Sequence, residues 1–326
     1  NKTFVMTIQS DKWQHSFSRY LGFSPSTSFS FGVIPGVCRE AMGRKDWVYS
    51  NPQVYNTRRL YCWSEFHYKK LQQDFRYMKT YYGAAPFVWD LEPGQAAGAG
   101  TLFFLPNDDC GTIREPHYKI VQDAIDSAPP PITFLLPWRD DQIWCGWDKL
   151  KKPDTSRIVQ LSHRETRQVI LARLFQEHEF VYLAYPGTDL YYSSFLDKKI
   201  VLYDSIKNYR AKTDDEIFGN RGRILSHLIW GYDFLNDNQK KFLHWTEGWN
   251  DIDQDIKNYL TIKMLGLDAL KSPQELYDSL VSVDFIKENK FVYQEKYYKT
   301  YEWLLSKIQE KTPHHSHHDH PHIMLL

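Results

Sequence analysis

The stretch FVYLAYPGTDLYYSSFLDKKIVLYD, residues 180–204, decides the fold. It opens at 180–184 with a run that is nearly all apolar and too short for a helix. Such a run is a strand buried on both faces. The turn Tyr185-Pro186-Gly187-Thr188 follows, then a short helical segment, then a second apolar run at 199–203. Strand, turn, helix and strand in that succession predict a right-handed crossover between parallel strands.

The same alternation extends upstream. Apolar runs at 101–105, 132–136 and 158–161 read as further strands buried on both faces. Between them lie amphipathic segments. In 118–128 one helical face carries Ile120, Val121, Ala124, Ile125 and Ala128, and in 164–177 another carries Val169, Ile170, Leu174 and Phe175. Further upstream, 4–8, 29–34 and 60–63 predict strands of a smaller α/β domain, and the GQAAGAG run within 91–100 predicts a flexible joint. Downstream the chain turns helical. Candidates are 251–265, a helix opened by the capping box Ser272-Pro273-Gln274-Glu275, and 293–311, expected to pack back across the domains. The histidine-rich end, 313–326, is expected to be a disordered tail.

Composition removes several function classes. The chain has 326 residues with 40 basic and 40 acidic side chains, so no basic excess points to nucleic acid. No apolar run reaches the ~20 residues of a membrane span, and no secretory leader is visible. Cys38, Cys62, Cys110 and Cys145 stand far apart with no CxxC pair, which predicts free thiols in a reducing, cytoplasmic setting. Aromatic residues make up 16%; most should fill cores, the rest being suited to stacking on sugars or bases.

Ligands of parallel α/β sheets sit beyond the carboxyl ends of the strands, so the residues just after each run carry the chemistry. After 101–105 come Asp108 and Asp109, either a general base or nucleophile or simply a polar turn. After 132–136 comes Arg139, placed to meet a phosphate or to pair with Asp140 and Asp141. After 158–161 come His163 and Arg164, an acid–base group and a cation at a helix start, with a purely structural histidine as the alternative. After 180–184, Tyr185, Gly187 and Thr188, with Ser193 beyond, combine close backbone approach, hydroxyls and unpaired helix amides, the parts that hold a phosphate. An ordinary helix cap by Thr188 uses the same residues.

The 180–204 stretch resembles the donor-site segment of bacterial surface-polysaccharide transferases of the GT-B fold, including capsule and teichoic-acid polymerising enzymes and the Kdo and sialic acid transferases. YCWSEFHYKKLQQDF (61–75) resembles a W-S-E segment of their first domain, GAAPFVW (83–89) the G-x-P-F before the crossover, and GTLFFLPNDDC (100–110) the first strand of their second domain. Many relatives carry His-Pro or His-Ser where this chain has Asn107-Asp108 or Ser162-His163. The resemblance implies two Rossmann-like α/β domains facing a cleft. The acceptor-side domain would span 1–97 and the nucleotide-sugar domain 98–285, with a closing helix in 286–312. It implies a metal-independent glycosyltransferase without a cofactor, using a nucleotide sugar, CMP-linked among the options, and an oligosaccharide or lipid-linked glycan acceptor. Asp108, Asp109 and His163 would be the catalytic candidates; Arg139, Arg164, Tyr185, Gly187, Thr188 and Ser193 would bind the nucleotide. It would work in the cytoplasm, with peripheral attachment to the inner face of the membrane. A nucleotide-sugar epimerase, a polyol-phosphate transferase or a non-catalytic glycan-binding subunit on the same scaffold are the alternatives.

Overall fold

The computed structural model describes residues 10–24, 27, 29, 31–34, 59–65, 68–69, 72, 76–95, 98–105, 115–136, 149–161, 166–184, 188–203, 249, 254–286 and 289–312. The strand expected at 4–8 and the tail at 313–326 lie outside these residues, as do Cys38, Cys110 and Cys145. Cys62 is a free, buried thiol, and burial pushes its pKa far up, so it packs as a small apolar group.

The described chain is a mixed α/β structure with two parallel sheets. The first contains β1 (Gly32–Ile34), β2 (Arg59–Cys62) and β3 (Lys79–Tyr82) in that order, with Leu60 opposite both Gly32 and Thr80. The second contains β4 (Thr101–Phe104), β5 (Ile132–Leu136), β6 (Arg157–Gln160), β7 (Phe180–Leu183) and β8 (Lys199–Leu202), ordered β6-β5-β4-β7-β8. That order is the one of the first five strands in a doubly wound Rossmann sheet.

The period-2 pattern of the strands explains why this sheet is covered on both faces. Phe103, Phe134 and Tyr182 point to one face, where they bury Val121, Ala124 and Ile125 of α2 (Glu115–Ser127). Their neighbours Leu102, Leu135 and Val181 point to the other, against Leu171, Leu174 and Phe175 of α3 (Arg167–Glu177) and Tyr192 of α4 (Thr188–Phe195). β6 departs from the expectation of burial on both faces. It lies at the end of the strand order, its residues are mostly exposed, and Ile158 is 51% exposed. A short edge strand opened by Arg157 discourages pairing with other chains.

The first sheet joins the same core. Helix α1 (Ser10–Leu21) brings Phe17 edge-on to Phe31, Tyr61 and Trp89, and stacks Tyr20 on Trp89 at 4.6 Å. Trp89 belongs to a buried 3-10 turn, η1 (Pro86–Asp90), whose Phe87 stacks on Tyr192 of α4 at 3.8 Å and meets Phe175 of α3 edge-on. Asp90 ends the turn with its carboxylate buried. It accepts a bidentate pair from Arg19 at 2.7 and 2.8 Å and a third hydrogen bond from Ser16 at 2.6 Å.

The segment expected as a flexible joint is instead fastened to α3. The Glu92 N–H donates to Gln176 Oε1 and the Gln176 amide returns a bond to the Glu92 carbonyl, while the Ala99 N–H donates to the Glu177 carbonyl. A Cβ on Gly98 would lie 1.8 Å from the Glu177 carbonyl oxygen, so glycine there serves close packing and not freedom of movement.

Helices α5 (Gln254–Leu265), α6 (Pro273–Ser282) and α7 (Glu295–Lys311) close the fold. The capping box at Ser272 and Glu275 forms as expected, with Pro273 at the first helical position. α5 packs along α4, where Thr261 donates to Ser194 at 2.8 Å. It ends at Gly266, whose left-handed φ of +61 lets the backbone pass against the Trp63 and Gly83 carbonyls at the carboxyl ends of β2 and β3. α7 reaches both halves, through Thr300 to the Leu91 carbonyl and through Lys307 and Lys311 to Asp197.

His178, buried between α3 and β7, is held as a neutral ring. Nδ1 faces the Leu174 carbonyl, which only accepts, so Nδ1 donates and Nε2 accepts from the Thr133 hydroxyl. Burial pushes its pKa below the ordinary histidine value, more than the Leu174 bond restores.

Two outcomes follow for stability. Replacing Asp90 by Ala removes the buried acceptor that Arg19 and Ser16 share and should cost about 3 kcal/mol in urea unfolding. A histidine depressed on folding contributes stability that is fully present above its unfolded pKa, about 6.5. That contribution is lost as pH falls through the lower folded value. The chain should therefore weaken between pH 7 and 5, and His178→Asn should weaken less over the same interval in matched urea titrations.

Candidate functional site

The five parallel strands of the second sheet end on one edge, at Phe104, Leu136, Gln160, Leu183 and Leu202. From β4 the chain runs outward to β5 and β6, then crosses back to β7 beside β4 and on to β8. α2 leaves β4 on one face, whereas α3 and α4 cover the other. Helices that depart to opposite faces make the junction of β4 and β7 the topological switch point of the sheet, the place where open α/β sheets bind their ligands.

The chain leaves the sheet at this edge into 106–114 after β4, 137–148 after β5, 162–165 after β6 and 185–187 after β7. Asp108, Asp109, Arg139, His163, Arg164, Tyr185 and Gly187 fall in those segments, outside the described residues. Thr188 is described: it is the first residue of α4 and half-buried. Ser193 is not brought to it. It lies on the buried side of α4 at 0% exposure, its hydroxyl donating to the Asp189 carbonyl at 2.6 Å. Four residues of helical rise and a 3.6-residue turn decide that placement, so a hydroxyl at this position braces the helix from within.

Arg167 was not singled out from the sequence. It is the first residue of α3, at the strand-end edge that α4 also starts from. Burial lowers its pKa from the usual arginine value, and the carboxylate of Asp189, in the first turn of α4, opposes that shift. A cation at a helix N-terminus adds to the positive end of the helix dipole instead of offsetting it. Two helix starts and a poorly hydrated guanidinium therefore concentrate positive potential beside the Asp189 carboxylate. The side-chain amide oxygen of Gln168, Oε1, beside it is buried and has no hydrogen-bond partner among the described residues. The signal in the sequence was a basic residue where the first turn of a helix ordinarily favours an acidic one.

The first sheet presents its own polar edge. Glu65, just past β2, receives Lys263 at 2.8 Å and Lys69 at 2.9 Å. Burial would raise its pKa, but those two hydrogen bonds hold it below the usual carboxylate range. Lys263 also reaches Asp268 at 2.6 Å, and the Tyr82 hydroxyl donates to the same carboxylate. The rings of Tyr68 and Tyr82 stack beside the cluster, 5.4 Å apart. These residues share the carboxyl edge of β2 and β3 with the docked end of α5.

No protein-family model matches the chain, and no curated protein matches it significantly. Among the described residues no helix is long and apolar enough to cross a membrane.

The test of this edge as an anion site is Arg167→Gln. Loss of a partly desolvated guanidinium should weaken the binding of a phosphate-bearing anion at this edge by about 2 kcal/mol or more. Calorimetric titration of the variant measures the loss, and Arg167→Lys should recover only part of it.

Proposed function

We propose that the chain is a glycosyltransferase of the GT-B kind, moving a sugar from a nucleotide-sugar donor to a growing surface polysaccharide. The observation that carries the reading is the switch point between β4 and β7, with the start of α4 at its margin. The same segment carries the resemblance to polysaccharide transferases.

In this reading the donor phosphate rests at the N-terminal end of α4, where Gly187 precedes Thr188 in the chain, with Arg167 and Arg139 supplying charge. His163 and Arg164, which follow the edge strand β6, complete the cationic side. The bond between the anomeric carbon and the phosphate oxygen breaks, and its electron pair leaves with the nucleotide. The acceptor hydroxyl forms the new bond to that carbon, and its proton passes to Asp108 or Asp109. The positive potential at the two helix starts stabilises the leaving phosphate as charge builds on it. The acceptor would approach from the first sheet, where Tyr68 and Tyr82 offer ring faces and the Glu65–Lys263–Asp268 cluster offers hydrogen bonds to hydroxyls. The bonds that tie Glu92 and Ala99 to α3 favour a cleft set in advance over one that closes by swinging lobes.

A thermal-melt panel of nucleotides tests the reading. A ligand at a hundredfold excess over its dissociation constant stabilises by about 2.7 kcal/mol. One of CMP, UDP or GDP should raise the melt, and Thr188→Val should remove most of the rise. Incubation with the matching nucleotide sugar and a glycan acceptor should release the free nucleotide and lengthen the glycan. An isomerised sugar nucleotide, or no response to any nucleotide, would overturn the assignment.

A further inference from the structure

Two buried hydrogen-bonding groups at the helix starts of the second sheet have no partner among the described residues: Gln168 Oε1 and the Tyr192 hydroxyl. Gln168 and Tyr192 are each only 2% exposed. A buried polar atom without a hydrogen bond costs free energy, so its retention calls for a physical reason.

Local geometry aims both groups at the strand-end edge. Gln168 is the second residue of α3 and heads its buried stripe, followed at helical spacing by Leu171, Ala172 and Phe175. Tyr192 lies one turn beyond Thr188 on α4. Side chains on a helix lean toward its N-terminus and cover the preceding turn. Gln168 therefore leans past the start of α3, and Tyr192 leans back over the turn that Thr188 opens. The Tyr192 ring is fixed there by Phe87, stacked at 3.8 Å, and by Phe175, edge-on at 6.0 Å. Asp189 links the two helix starts: its carboxylate favours the charged form of Arg167 and, after burial, raises the pKa of Tyr192. The phenol thus stays protonated and able to donate.

The chemistry of the two atoms defines what they would meet. An amide oxygen only accepts, so Oε1 needs a donor, and an ionised phosphate offers none. Arg167, its neighbour in the chain, has the reverse chemistry, with donors and no acceptor. Adjacent positions at one helix start therefore offer one group to an anion and one to a hydroxyl. A ring hydroxyl donates to Oε1 and accepts from a phenol, and sugar rings carry several beside a phosphate.

We propose that Gln168 and Tyr192 are specificity-determining residues of the switch-point site. They read ring hydroxyls of the sugar next to the ligand's phosphate, whether the ribose of a nucleotide or the sugar that the nucleotide carries. The proposal rests on the reading of that edge as a nucleotide-sugar site.

Calorimetric titration of the full chain tests the pair. The probes are CMP, UDP and GDP with their 2′-deoxy and 3′-deoxy forms, and UDP-glucose, GDP-mannose and CMP-sialic acid with analogues lacking one sugar hydroxyl each. At least one deoxy form should bind about tenfold or more weakly than its parent compound. A loss among the deoxynucleotides assigns the ribose, and a loss among the deoxy sugars assigns the carried sugar. In the double variant Gln168→Met/Tyr192→Phe that discrimination should shrink to about threefold or less, with the single variants apportioning it. Each variant removes a buried, unpartnered atom, so neither should lower the melt. A lower melt with discrimination intact would mark the pair as structural and overturn the proposal. Nucleotides that bind while every deoxy form matches its parent would also overturn it, yet leave the transferase reading standing. No binding of any nucleotide or nucleotide sugar would overturn both.

Discussion

The five residues from Pro86 to Asp90 set the constraint on which the described structure depends. A single 3-10 turn places Phe87 against the helices of the second sheet and Trp89 among the aromatic rings of the first. Stacked or edge-on aromatic pairs contribute about 0.5–1.5 kcal/mol each beyond the area they bury. The turn's carboxylate then fixes its orientation, because Asp90 is buried and accepts three charge-assisted or short hydrogen bonds from α1. A buried carboxylate without those partners would be strongly unfavourable. The geometry of the turn and the position of α1 are therefore one choice.

From that turn the rest of the site's support can be followed. Phe87 sets α4 sideways, Thr261 of α5 bonds its end through Ser194, and α7 holds the turn after it at Asp197. α3 is packed against Phe87 through Phe175 and held at its end by Gln176 and Glu177, which bond to Glu92 and Ala99. α4, which starts beside the switch point, and its neighbour α3 are thus positioned by contacts far from that edge. Electrostatic stabilisation gains most from groups that need no rearrangement when charge develops.

Much of this scaffold was legible because its signals were local. The strand at Ile132–Leu136 coincides with its apolar run, since a strand with neighbours on both sides and helices on both faces is buried, and its one polar side chain, Thr133, bonds to His178 inside the core. Ser272 and Glu275 announced a helix start through hydrogen bonds confined to four residues. The features that escaped were non-local. Ile158 reads as a core residue by composition, yet strand order puts it at an edge. GQAAGAG reads as a joint, yet small residues also permit close approach to a helix end, and Gly98 is used that way. At the site, Thr188 stands at a helix start as its turn suggested, whereas the period of the helix turns Ser193 inward. Arg167 stayed hidden because its meaning comes from Asp189, a neighbour only after the crossover returns the chain beside β4.

The neutral total charge also misled in its simplicity, because it averages over opposed local fields. Lys263 is shared by Glu65 and Asp268, and their hydrogen bonds outweigh its burial, so that edge of the first sheet is locally balanced. Arg167 faces a carboxylate at the strand-end edge of the second sheet, amid two helix starts of the same sign as itself. At the strand-start edge Lys311 is held by Asp197, Lys199 by Glu179 and Lys198 by the Gln176 carbonyl. A surface pair of opposite charges is worth little in water, but unbalanced cations in partly buried settings raise one another's cost and lower it again when an anion arrives. Local imbalance, and not the sum over the chain, is therefore the quantity that distinguishes a charge placed for folding from one placed for a ligand.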